Sequence, residues 1–158
     1  MKTLLCVDDQ EAGLEIRKLL LEARGYRVLT ASTAAEVFEA VRREPVDLVI
    51  LDYKLAETTG EEIARDLKRG QPELPILLLS GYPSVPESAR GVVDAFLMKG
   101  ESAQDFLQTI ASLVGHTAEI DTKKPVTREE SEKLVERTRG LLEQSERLAE
   151  RFQQRRKG

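Results

Sequence analysis

Five polar residues stand where apolar runs give out. Asp8 and Asp9 follow Thr3 to Val7 (TLLCV), and Asp52 follows Asp47 to Leu51 (DLVIL). Ser80 follows Pro75 to Leu79 (PILLL), and Lys99 follows Asp94 to Met98 (DAFLM). Three carboxylates at one edge repel one another, because like charges within about 4–6 Å raise each other's pKa and tend to keep one protonated. A hard divalent cation removes the repulsion, and Mg²⁺ favours one or two carboxylates together with waters and phosphate oxygens. Lys99 supplies a point charge for an anion, and Ser80 supplies a hydroxyl. The set contains the parts of a phosphoryl-transfer site: metal ligands, a carboxylate nucleophile, a hydroxyl donor and an ammonium clamp. Singly, these residues are an ordinary strand-end pair, a turn serine and a surface lysine. Only together do they specify chemistry.

The elements that must position them are legible as alternating apolar runs and amphipathic stretches. Glu11 to Ala23 places Leu14, Ile16, Leu19, Leu20 and Ala23 near a 3.6-residue period, with Gly25 as a stop. Arg27 to Ala31 reads as a strand, and Ser32 or Thr33 can cap a helix that runs through Val41. A helix is predicted from about Gly60 to Lys68, and a last one from a Ser102 cap through Val114. Between Tyr82 and Val93, helix signals are interrupted by Pro83, Pro86 and Gly91. Five strands alternating with helices imply parallel crossovers, hence an α/β doubly wound sheet. Functional groups of such sheets collect beyond the carboxyl ends of the strands, where the five polar residues fall.

The pattern resembles the receiver domain of bacterial two-component response regulators, over roughly residues 2 to 115. The resemblance implies a five-stranded flavodoxin-like sheet in the order 2-1-3-4-5. It makes Asp52 the phosphoacceptor, and Asp8, Asp9 and Asp52 the ligands of Mg²⁺ together with the backbone carbonyl of Lys54. It makes Lys99 the phosphate-binding lysine, Ser80 the switch hydroxyl and Phe96 the aromatic that changes rotamer. Gly60 matches the glycine that opens the third helix. The phosphoryl donor it implies is a sensor histidine kinase or a histidine phosphotransfer protein. Two departures stand out, since Gly100 and Ala56 replace prolines usual in the family. A cis bond before a non-proline residue costs about 3–4 kcal/mol, so a trans peptide and a differently shaped loop are expected at Gly100. A truncated fourth helix is expected as well.

Charge divides the chain. Residues 1–116 carry 13 Lys+Arg and 19 Asp+Glu, net −6, whereas residues 117–158 carry 11 and 9, net +2. The expected organisation is a receiver body at 1–116, a linker at 117–126 and a C-terminal amphipathic helix at 127–158. In that helix Leu134, Leu141 and Leu148 recur every seven residues, with Leu142 and Phe152 beside them. Such a stripe needs a partner, because a lone helix of this kind is marginal in water. The partner is either the same helix of a second chain, giving a homodimer, or the body of the same chain. The single cysteine, Cys6, suits a reducing cytoplasm. No apolar stretch approaches the roughly 18 residues of a membrane span, and the mild net charge argues against a general nucleic-acid binder. The tail is too short for a DNA-binding output domain. The expected function is a phosphorylation switch and not an enzyme. The alternatives are a constitutively dimeric scaffold and, less favoured, an aspartate-nucleophile phosphatase. The phosphatase lacks a second aspartate two residues after Asp52, where Lys54 stands.

Overall fold

A computed structural model describes residues 1–81 and 85–115. Within it the chain alternates β1 (Thr3–Val7), α1 (Glu11–Glu22), β2 (Arg27–Ala31), α2 (Ala34–Arg43), β3 (Leu48–Asp52), α3 (Gly60–Gly70), β4 (Ile76–Ser80), α4 (Glu87–Arg90), β5 (Ala95–Met98) and α5 (Ala103–Leu113). All strand pairs are parallel, and the sheet order is β2-β1-β3-β4-β5. This is the doubly wound, flavodoxin-like sheet that the alternation and the resemblance implied. The expected linker, the C-terminal helix with its leucines and Phe152, and Tyr82 lie outside the described residues.

The central strands are apolar along their length because both faces are covered. Every residue of β1, β3 and β4 is buried, including Leu4, Leu5, Val49, Ile50, Leu77 and Leu78. At about 25 cal/mol per Å² of apolar surface removed from water, such strands supply most of the drive that closes the sheet. The edge strand β2 is only partly covered, with Val28 and Ala31 buried and Arg27 and Thr30 exposed. On α1, Leu14, Leu20 and Leu21 face the core, while Ile16 and Leu19 are only half-buried and Ala23 is the exposed C-cap. The helix forms where the 3.6-residue period places it, with Leu21 in its inward face in place of Ile16, Leu19 and Ala23.

Local chemistry fixes the helix starts. Thr33 caps α2 by accepting the Glu36 N–H at 3.2 Å, and the Glu36 carboxylate accepts the Ser32 N–H at 2.8 Å, a reciprocal capping pair. Thr59 caps α3, and Ser102 caps α5 by accepting the Asp105 N–H at 3.1 Å. The fourth helix is a single turn of four residues, ending at Gly91, as the interrupted pattern of that stretch predicted.

Two strands end later than their apolar runs. Asp52 pairs with Leu79 and Ser80 with Met98, so each polar residue is the last of its strand rather than the first after it. The parallel ladder continues while backbone partners remain, whatever the side chain, and it draws these two groups inside the edge.

Candidate functional site

The five residues singled out in the sequence are delivered by four strand ends, with Asp8 and Asp9 both following β1. The Asp8 N–H continues the β1–β2 ladder by donating to the Ala31 carbonyl at 3.2 Å. Its side chain is then fixed by a local turn, in which carboxylate Oδ1 accepts the Gln10 N–H at 2.9 Å. Asp52 is held from both sides. The Tyr53 N–H donates to the Leu79 carbonyl at 2.8 Å, and the Gly60 N–H donates to the Tyr53 carbonyl at 2.7 Å. Gly60 must be glycine for this packing, because a Cβ there would lie 2.4 Å from the Asp52 carbonyl oxygen. Lys99 is set by its own backbone, whose N–H donates to the Ser80 carbonyl at 2.7 Å. Beyond it Gly100 takes φ +100°, and the described residues contain no cis peptide. Proline, fixed near −65°, cannot adopt that φ, so the glycine and the reshaped loop belong together.

Ligand oxygens of Asp8, Asp9 and Asp52 lie within 4.8 Å of one another, which is a spacing a small hard cation can bridge. Asp8 and Asp52 are buried, at 1% and 5% exposure, while Asp9 faces solvent. The donor set is all oxygen, so it fits Mg²⁺ and excludes a thiolate or imidazole metal centre. The Lys99 ammonium bridges the two buried carboxylates, 2.9 Å from Asp52 Oδ2 and 3.3 Å from Asp8 Oδ2. Ser80 is buried at the end of β4, in register with Met98 beside Lys99. Lys54 lies two residues past β3 and forms an isolated antiparallel bridge with Thr59. Phe96 is half-buried against the core, and the Arg90 guanidinium of α4 covers its ring at 5.1 Å from the centroid.

The two buried carboxylates titrate in opposite directions. Burial pushes the Asp52 carboxyl above the ordinary value, and the nearby Asp8 charge adds to this against the pull of Lys99. Burial also raises Asp8, but the Gln10 N–H together with Arg17 and Lys99 outweighs it and holds the carboxyl below the ordinary value. The like-charge repulsion expected from the sequence is present, although desolvation is the larger cause at Asp52.

A further cation joins the site from outside the strand ends. Arg17, on α1, donates from Nη2 to Asp8 Oδ2 and is only 13% exposed. The signal available was Gly13, a poor helix former in the first turn of α1 and four residues before Arg17 on the same face. Arg17 also lines a cavity of about 410 Å³ with Asp8, Ile16, Leu97, Lys99 and Glu101.

Comparison with known proteins agrees with this geometry. Residues 4–111 match the family described as "Response regulator receiver domain". The chain is 32% identical over 118 residues to the transcriptional regulatory protein GlrR of Escherichia coli, covering 73% of this chain and 27% of that protein. It is 32% identical over 126 residues to the response regulator MprA of Mycobacterium leprae, covering 78% of this chain and 55% of that one. The chain thus spans from about a quarter to just over half the length of these curated relatives. Among solved structures, it superposes on the response regulator TrrA of Thermotoga maritima, which was crystallised with Mg²⁺ and BeF, with TM-score 0.68 and 26% identity. That match covers 72% of this chain and 99% of TrrA. A CheY-like receiver domain protein of Methanospirillum hungatei gives TM-score 0.68 at 30% identity, covering 73% of this chain and 95% of that one.

Proposed function

The chain belongs to the response regulator receiver domain family, and from that premise we propose that Asp52 is its phosphoacceptor in a two-component phosphorelay. The observation that carries the reading is the buried Asp52 carboxylate, 2.9 Å from the Lys99 ammonium and within 4.8 Å of two further carboxylates at one strand edge. The donor is a phosphohistidine on a sensor kinase or a histidine phosphotransfer protein. An Asp52 carboxylate oxygen attacks the phosphorus, an acyl phosphate bond forms and the P–N bond breaks. The departing imidazole keeps the electron pair and takes up a proton.

The residues present fit Mg²⁺, with Asp8, Asp9, Asp52 and the Lys54 carbonyl as its ligands; when bound it would neutralise charge on the transferred group. Lys99 holds the phosphoryl oxygens, and Ser80 donates its hydroxyl to them. A new dianion at Asp52 draws both toward it and biases the surface around β4, α4 and β5. Phe96, in register with Leu78 two residues before Ser80, is the reporter of that change, and Arg90 over its ring restrains it in the unphosphorylated state. The chain acts as a switch in the cytoplasm, and the leucines from Leu134 to Leu148 support pairing of two copies through that segment.

Beryllofluoride tests the site without a kinase. With Mg²⁺ present, ¹⁹F NMR of the wild-type chain should show a bound fluoride signal that Asp52→Asn abolishes. A signal equal in both proteins, or absent from both, would overturn the assignment of Asp52.

A further inference from the structure

Both oxygens of Asp8 are already engaged. Oδ1 accepts the Gln10 N–H at 2.9 Å, while Oδ2 accepts from Lys99 at 3.3 Å and also from Arg17. The Gln10 contact belongs to a tight local turn and is fixed by the backbone. The lysine is shared with Asp52. Among the described residues, Arg17 is the one cation on these carboxylates that no phosphoryl-transfer role accounts for.

Its placement is built rather than incidental. At Gly13 a Cβ would sit 3.1 Å from both Arg17 Nη2 and Asp8 Oδ2, so the missing side chain opens the slot through which the guanidinium passes. Arg17 Nε is buried with no hydrogen-bond partner, an arrangement that costs free energy and is not what a purely stabilising ion pair would adopt. The formal charges of Asp8, Asp9 and Asp52 sum to −3, and Lys99 with Arg17 return +2, so the guanidinium supplies much of the neutralisation a divalent cation would bring.

We infer that Arg17 is a built-in counter-cation that closes the metal site of the resting protein, and that it must leave Asp8 Oδ2 when Mg²⁺ binds. Arg17 is thus a positioning residue that sets the Mg²⁺ concentration at which the site becomes competent. The displaced guanidinium has room, because the cavity of about 410 Å³ beside it is bounded by Ile16, Leu97 and Glu101, the last a solvent-facing carboxylate. The inference rests on the metal reading of the preceding subsection and adds to it a competitor carried by the chain itself.

Calorimetric titration of the full chain with MgCl₂ tests this directly. Arg17→Met removes the competitor and should tighten Mg²⁺ binding about tenfold, the scale of one net charge-assisted hydrogen bond. Gly13→Ala keeps the charge but fills the slot, and alanine suits a helix better than glycine, so this variant should fold. It should tighten binding in the same direction but only by about threefold, since the guanidinium is displaced with its charge still nearby and the new Cβ also crowds Asp8 Oδ2. Wild type that binds Mg²⁺ with both variants unchanged or weaker overturns the inference and leaves the metal reading standing. Tightening in Arg17→Met alone reduces the effect to long-range charge and overturns the contact. Failure of all three proteins to bind Mg²⁺ overturns the inference and the metal reading together.

Discussion

At the amino edge of the sheet, Asp47 accepts the Thr3 N–H at 2.8 Å, and Asp94 accepts the Ile76 N–H at 2.8 Å and the Lys68 ammonium at 2.7 Å. At the carboxyl edge, Asp8, Asp9 and Asp52 bring their oxygens within 4.8 Å of one another, and Asp52 leans on a lysine it must share. The residue type is the same and the strands are the same, yet the energetic role is reversed. Amino-edge carboxylates meet backbone donors at the start of a strand and hold the ladder in register. Carboxyl-edge carboxylates meet each other, and the buried Asp52 carries unfavourable charge that a bound cation would offset. Structure is anchored at one edge and function is held in tension at the other.

Perturbing each edge should separate the two roles. The largest effect is expected at Gly60, where a Cβ meets the Asp52 carbonyl oxygen at 2.4 Å and backbone must move. Gly60→Ala should cost about 3 kcal/mol in urea unfolding, as overpacking against a rigid neighbour does, and should lower phosphorylation because Asp52 is displaced. Next is Asp94→Ala, which leaves the Ile76 N–H without its acceptor and takes the carboxylate from Lys68. It should cost about 2 kcal/mol while leaving the rate of phosphorylation by a small donor unchanged.

Asp52→Asn should do the opposite, abolishing phosphorylation while raising the melting temperature of the metal-free chain at pH 7 by about 3 °C. The sign follows from the raised Asp52 carboxyl. Its buried charge costs stability above the folded-state pKa, and that cost vanishes as pH falls and the group takes up its proton. The stabilising effect of Asp52→Asn should therefore shrink on acidification, which melting curves at successive pH values would show. Asp8 runs the other way. Its depressed carboxyl contributes stability above the ordinary carboxylate range, lost as pH falls through the lowered value. The smallest effect is expected from Arg90→Ala, about 0.5 kcal/mol, the scale of an exposed cation–π contact. It should nevertheless broaden the Phe96 ring signals in NMR, and unchanged ring signals would remove Arg90 from the switch.

Much of the carboxyl edge is legible in the chain alone. Asp8, Asp9, Asp52, Ser80 and Lys99 were legible because strand periodicity places the residue after each apolar run at one edge, and their types carry the chemistry. The reduction of α4 to one turn was legible because Pro83, Pro86 and Gly91 break helices by local sterics. The burial of Asp52 and Ser80 was not, since the ladder carries each strand one residue past its apolar run. Arg17 was hidden for a different reason. Its contact with Asp8 depends on where α1 crosses the strand end, which helix periodicity leaves open, and only the odd glycine at 13 marked the slot.

The carboxyl edge of the sheet, with its clustered carboxylates and Lys99, is arranged to accept a phosphoryl group on Asp52 once a cation offsets the charge. Intact-mass spectrometry after incubation with acetyl phosphate and Mg²⁺ measures this most directly. A single phosphoryl adduct is expected on the wild-type chain, lost when Mg²⁺ is removed with a chelator and absent from Asp52→Ala. Equal labelling of wild type and Asp52→Ala, or no labelling of either, would contradict it.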